Sequence, residues 1–372
     1  MSNLANLEKL KRTIIDRHVR PSNLKGAIQV TTTLVPLALL WLAVALSPQV
    51  SYWLTAGLVV MITFLQLRVF IMMHECGHGS LFKHPTLNKA FGFVFGLLTG
   101  MPQYVWAQRH HYHHSTNGNW SKYQGPLNII SVEKYSAMTG AQQRRYRNAR
   151  SIWLAPIAGL MYLLVTPRIT WVKGTISLVA YLIKQKIAQP AVPIKTLALG
   201  FKTTLWASPQ EYWHMFWNNI ALLSLWYFMA SAMGPLLFFV CYFVSGAVSG
   251  GGSILLFTLQ HNFEHSYASG DEGWNYNQAA MEGTSYLVLP AWMNWMTANI
   301  AYHHIHHLSA RIPNYCLLAC HKEYESLFTD VTRLRVTQIP GALKCILWNT
   351  QAGRIISIAE YEQGLQQRFS QA

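Results

Sequence analysis

His303-His304-Ile305-His306-His307 decides how this chain is read, because two earlier stretches repeat its logic: His74-Glu75-Cys76-Gly77-His78 and His110-His111-Tyr112-His113-His114. On a helix, residues three and four apart share a face. His74 and His78 can therefore aim at one target, as can His110, His113 and His114, and likewise His303, His306 and His307. Neutral imidazole is the commonest metal ligand and suits borderline ions such as iron, zinc and copper. One tetrahedral zinc is saturated by about four ligands. Eight matched histidines exceed that need and fit two ions of higher coordination number.

Composition places this cluster at a membrane. Of 372 residues, 51% are hydrophobic and only 12% are charged, about half the charged share of a soluble domain. No Asp, Glu, Lys or Arg lies between Lys25 and Arg68, nor between Glu211 and Glu264. Each gap accommodates two spans of about 20 residues. Each also breaks near its middle, at Ser47-Pro48-Gln49 and at Met233-Gly234-Pro235. Two buried soluble hairpins would normally carry charge on a solvent face. The expected fold is therefore all-α: a polytopic membrane protein with four transmembrane helices in two hairpins, at 28–46, 52–72, 215–232 and 235–257. Residues 1–25 form a basic cytoplasmic N-terminus, 26–325 the membrane domain with a helical cap holding the metals, and 326–372 a cytoplasmic tail. Basic residues before the first span put the N-terminus in the cytoplasm, and no cleavable signal peptide is expected.

Two apolar segments, 91–107 and 152–166, are interrupted by Gly100 and Pro102 or bounded by Pro156 and Pro167. If the clusters share one centre, the chain must cross the bilayer an even number of times between them. One hairpin from about Met215 to Phe257 satisfies this, so both short segments are expected to be interfacial. The formal charge of +15 concentrates outside the spans, densest at Arg144, Arg145, Arg147 and Arg150. Cytoplasmic positive bias explains such a run; a docking surface for an acidic electron carrier is the functional alternative. No nucleic-acid recognition module appears. The five cysteines form no CxxC pair and are expected to be reduced packing residues.

Beyond the boxes, His261 and His265 follow the last span one turn apart and are placed to complete the metal shell. Glu264 and Glu75 are candidates to fix imidazole tautomers. Asn299, one turn before His303, either holds a ligand or a metal-bound water or simply bonds backbone or headgroups. His111 and His304 point about 100° away from their neighbours and are left out. His18, His84, His214 and His321 are isolated.

Taken together, the boxes and their spacing resemble the HxxxH, HxxHH and HxxHH pattern of the membrane fatty acid desaturases. Gln260-His261-Asn262-Phe263-Glu264-His265, the stretch Glu282 to Tyr286 and the segment from Asn299 to Tyr315 are similar to bacterial acyl-lipid desaturases of the delta-12 or omega-6 type. The resemblance covers roughly residues 25–325. It implies a non-haem di-iron centre, facing the cytoplasm from an inner membrane, that uses O2 to place a cis double bond in a membrane-lipid acyl chain. The implied iron ligands are His74, His78, His110, His113, His114, His303, His306 and His307, with His265 as a ninth. His261 falls where related acyl-CoA enzymes use an Asn that holds a water. No fused cytochrome b5 domain is evident, so the resemblance implies a separate electron donor such as ferredoxin with its reductase.

The chemistry suits iron, since taking hydrogen from an unactivated methylene needs a redox metal and zinc has no redox chemistry. Membrane di-iron hydroxylases, ketolases and alkane monooxygenases share the same ligand logic. His74-Glu75-Cys76-Gly77-His78 also matches the HExxH zinc-protease motif, with Glu75 as base, but that reading leaves the other two clusters unexplained. A histidine-rich metal transporter would want ionisable groups inside its spans, and the uncharged hairpins lack them.

Overall fold

The computed structural model describes residues 3–122 and 129–371. Its helices are α1 (Asn3–His18), α2 (Asn23–Leu46), α3 (Tyr52–His78), α4 (Pro85–Thr99), α5 (Gln103–Thr116), α6 (Val132–Ser136), α7 (Gly140–Ala149), α8 (Ala155–Leu160) and α9 (Thr166–Ala188). They continue with α10 (Ile194–Leu199), α11 (Pro209–Met233), α12 (Pro235–His261), α13 (Tyr276–Glu282), α14 (Ala291–Met296), α15 (His303–Leu308), α16 (Asn314–Glu323), α17 (Ile339–Ala342) and α18 (Ile358–Gln371). The strands are β1 (Ile130–Ser131), β2 (Tyr286–Val288), β3 (Arg333–Arg335), β4 (Cys345–Asn349) and β5 (Arg354–Ser357).

The protein is predominantly helical, and four of its helical stretches are long and apolar enough to cross a membrane: Asn23–Gln49, Tyr52–His78, Ile152–Ala188 and Pro235–His261. The first two form a hairpin. Ser22 and Ser51 cap α2 and α3 through the amides of Lys25 and Trp53, and the Ser47 hydroxyl meets that of Thr55 at 2.7 Å across the bend. Such caps satisfy amides that the first helical turn leaves without partners. A second hairpin turns at Gly234, where φ of +87° suits glycine and Pro235 opens α12.

The segment from 152 differs from its expected brevity. Pro156 and Pro167 stand in the first turns of α8 and α9, where a missing amide costs little. A π-helical turn at Met161–Val165 joins them. The result is a continuous run to Ala188, and its first part packs tightly on α12. A Cβ on Gly159 would overlap the backbone of Gly250 and Gly251, the close approach that small residues permit between membrane helices.

Helices α4 and α5 form a short hairpin turned at Gly100, whose φ is +78°. Half-buried Arg168 holds its tip, donating to the Gly100 carbonyl, to the Leu164 carbonyl and to Asn218 Oδ1. Carbonyls at a helix C-terminus carry partial negative charge, so a guanidinium there is stabilised without a carboxylate partner. This contact fixes the root of the helix that carries the second histidine cluster.

Residues 326–372, expected as a tail, are built into the cap. β3 pairs in parallel with β2, while β4 pairs in parallel with β1 and antiparallel with β5. The β4–β5 turn uses Gly353 at φ +62°. A short apolar run over Cys345–Trp348 followed by a glycine turn is the hairpin signal that the apolar helical pattern overshadows.

The α8–α12 contact yields a test. Gly159→Val should lower the thermal unfolding midpoint in detergent, since overpacking costs about 1–3 kcal/mol or more, whereas Gly57→Val, at an open position, should leave it nearly unchanged. Equal midpoints would contradict the described packing.

Candidate metal centre

Four separate segments bring nine histidines together. His74 and His78 end α3, and His110, His113 and His114 lie on α5. His261 ends α12, and His303, His306 and His307 form most of the single turn α15. Two groups emerge. In His74, His78, His110, His114 and His306, one ligand atom per residue lies within 4.8 Å of every other; the same holds for His113, His261 and His307. His303 joins the second group through His261, with its Nε2 2.9 Å from His261 Nε2.

The Nε2 atoms converge. His113 Nε2 lies 3.1 Å from His261 Nε2, His114 Nε2 is 3.0 Å from His110 Nε2, and His306 Nε2 is 3.1 Å from His114 Nε2. The buried Nε2 atoms of His74, His78 and His307 have no hydrogen-bond partner. Facing ring nitrogens at this distance need either a proton on one of them or a shared cation between them. Two nitrogens about 2.1 Å from one ion and at right angles would sit about 3.0 Å apart, which matches the observed spacings. The donor set and these orphaned atoms therefore fit metal ions.

Neighbouring groups fix which nitrogen faces inward. His261 Nδ1 lies 3.3 Å from the Gly283 carbonyl and donates to it, which leaves Nε2 as the ligand atom. His74 Nδ1 lies 3.2 Å from Glu75 Oε1. Glu75 is fully buried, and its other oxygen accepts from the Ser80 hydroxyl and the Asn314 amide, each at 3.0 Å. One carboxylate thus ties the end of α3 to the start of α16. This use also removes Glu75 from the role of a protease base, since one oxygen holds His74 Nδ1 and the other holds Ser80 and Asn314.

Trp106 stacks on the His110 ring at 4.4 Å. Phe257 touches His74, His110, His113, His261 and His303, with centroid distances of 5.6–6.4 Å. It lies against ligands from both groups and walls them on an apolar side.

Several expected positions change. His265 is 71% exposed and stands 3.8 Å from Glu264 rather than in the cluster. The reason is local: α12 ends at Asn262, whose φ of −109° and ψ of 84° leave the helical region, so the expected helical turn from His261 to His265 does not exist. Glu264 turns outward to Arg354 at 3.0 Å. Asn299 adopts φ +61° in the turn before His303 and donates to the Asn314 carbonyl at 3.3 Å, a backbone role. Gln260, beside His261, braces that same turn by donating to the Ile300 carbonyl at 2.8 Å. His111 is exposed outside both groups. His304 is buried but pairs with His321, Nε2 to Nδ1 at 3.2 Å.

A small polar pocket of about 40 Å³ reaches His113 and His261 from the cap, lined also by Asn119, Trp120, Ser266 and Ile355. On the membrane side, a cavity of about 490 Å³ opens among α2, α3, α4, α11 and α12. Its walls include Leu37, Ala38, Trp41, Met229 and Phe238, and Gln66, about 12 Å along α3 before His74.

Burial holds His110, His113, His114, His303, His306 and His307 well below the ordinary imidazole range, and neighbouring imidazoles lower them further. They are neutral at pH 7, as ligands must be. When the pH falls through about 6.5 the unfolded chain takes up protons that the folded one refuses, which destabilises the fold. The thermal midpoint of metal-free protein should therefore drop as the pH is lowered from 7.5 to 5.5. A flat profile would mean that these rings are solvated.

Comparison with known proteins points the same way as this geometry. The family described as fatty acid desaturase matches residues 51–337. A fatty acid desaturase of Bacillus subtilis (strain 168) is 31% identical over 356 residues, which is 95% of this chain and 92% of that protein. A chloroplastic omega-6 fatty acid desaturase of Spinacia oleracea is 23% identical over 258 residues, 68% of this chain and 49% of its own length. A Delta(12) fatty acid desaturase of Mortierella isabellina is 30% identical over 74 residues, 20% of this chain and 17% of its own.

Proposed function

Because the chain belongs to the fatty acid desaturase family, we propose that it introduces a cis double bond of the delta-12 or omega-6 type into the acyl chain of a membrane lipid. Convergence of nine histidine rings into two adjacent groups, together with an apolar cavity opening among α2, α3, α4, α11 and α12, carries this reading. In it, His74, His78, His110, His114 and His306 hold one iron ion, and His113, His261, His303 and His307 hold the other. With O2 and two external electrons, the iron pair supplies an oxidant able to take hydrogen from an unactivated methylene.

The rest is the work of the chain. Glu75 and the Gly283 carbonyl hold the tautomers of His74 and His261, so the ligand set is preorganised. The apolar cavity receives the methyl-terminal part of the acyl chain, and Phe257 separates that chain from the polar pocket. Neighbouring CH2 groups are chemically alike, so selectivity comes from register: the depth of the cavity decides which pair lies beside the histidines.

Topology follows from the same convergence. Clusters two and three meet on one side, so the chain between them crosses an even number of times. In our reading α11 and α12 cross as the second hairpin, and the run from Ile152 lies along the interface. The N-terminus and the centre face the cytoplasm of a bacterial inner membrane, and electrons come from a separate protein such as ferredoxin.

Expression in a host that lacks polyunsaturated fatty acids, followed by gas chromatography with double-bond localisation, tests the function. A new diene is expected. A hydroxy acid would replace this reading with a hydroxylase, and unchanged lipids would remove it. His261→Ala should lower bound iron severalfold and abolish product, while His265→Ala should retain both. Ala38→Phe, which shortens the cavity, should shift products toward shorter chains with iron content unchanged; an unaltered chain-length profile would place the acyl tail elsewhere.

A further inference from the structure

Resting on the desaturase reading, we propose that the module built from β1, α6, α7, β4, β5 and α18, centred on Trp120 and Trp348, is the docking surface for an acidic one-electron carrier protein. The reaction itself demands such a partner. Desaturation removes two hydrogen atoms from the acyl chain while O2 is reduced to two waters, so two more electrons and two protons must arrive from outside. Each visiting carrier leaves oxidised by one electron, and two visits complete a turnover.

Three observations place the visit here. First, the polar pocket that reaches His113 and His261 opens under this module: Trp120 and Ile355 form part of its wall. Trp120 is 37% exposed and rests against Trp348 of β4, with centroids 5.2 Å apart. A large aromatic side chain open to solvent on one side, with ligand imidazoles across the pocket behind it, is the kind of anchor that interfaces use.

Second, the module is a built platform. Tyr135, Tyr146, Leu347 and Ile356 form its own small core, and the Tyr146 hydroxyl donates to the Ile346 carbonyl at 2.6 Å. The Ile355 amide donates to the Glu264 carbonyl at 2.7 Å, which fastens the hairpin directly after the helix that delivers His261. β4, β5 and α18 lie beyond residues 51–337, the part matched by the family.

Third, its charge is one-sided. Residues 130–150 and 345–367 carry six basic and three acidic residues. The acids are engaged: Glu360 with Arg354, Glu362 with Arg147, and Glu133 with the Thr350 hydroxyl. Among the described residues, exposed Lys134, Arg144 and Arg145 form no ion pair. Unneutralised positive charge around an aromatic centre attracts an acidic protein and steers its approach.

The test uses iron-loaded full-length protein in detergent and two reductants: a plant-type [2Fe–2S] ferredoxin with its reductase, and dithionite with methyl viologen. Arg144→Glu/Arg145→Glu should raise the KM for ferredoxin roughly tenfold and flatten its salt dependence. It should weaken ferredoxin binding to the immobilised enzyme by a similar factor and leave turnover with the small reductant unchanged. Arg144→Lys/Arg145→Lys should behave close to wild type. An unchanged KM and Kd in the Glu variant, or turnover by the unsubstituted enzyme with dithionite but none with ferredoxin, would overturn the docking surface while sparing the desaturase reading. No product with either reductant would instead count against the desaturase reading and this inference together.

Discussion

Everything in this molecule is subordinate to the gathering of nine imidazoles, eight of them buried, from four stretches of chain into a volume a few ångströms across. Buried polar nitrogens without partners are costly, and nitrogens that face one another about 3 Å apart are worse. The fold tolerates the arrangement because long helices deliver the rings from fixed directions and because Glu75, Gln260 and the Gly283 carbonyl hold their surroundings in register. Bound cations would convert the same repulsion into the strongest tie between the segments, so that metal binding and folding become linked.

The constraint reaches outward into topology. Arg168 holds the tip of the α4–α5 hairpin, and tight glycine contacts seat α8 on α12. Both fix where the second cluster and His261 meet. The apolar cavity opens among the long helices, and the small pocket reaches His113 and His261 from the cap.

Much of this was legible in the sequence. Helical spacing identifies the eight box histidines as facing sets, and the uncharged stretches mark three of the four long apolar helices; the fourth, Ile152–Ala188, carries Arg168, Lys173, Lys184 and Lys186, while the expected span 215–232 lies in α11, outside those four. What escaped had local causes. The resemblance puts His265 ahead of His261, and helical periodicity alone keeps both in reach, whereas the backbone leaves the helix at Asn262 and turns His265 out to solvent. Pro156 and Pro167 read as boundaries, yet both sit in first turns that accept proline. The β4–β5 hairpin and the pairing of His304 with His321 depend on partners far along the chain, which no local pattern discloses.

The most direct test of the central claim is anomalous diffraction at the iron edge from crystals of iron-loaded protein. The account predicts two anomalous peaks: one among His74, His78, His110, His114 and His306, the other among His113, His261, His303 and His307. A single peak, or density at His265 rather than His261, would contradict it.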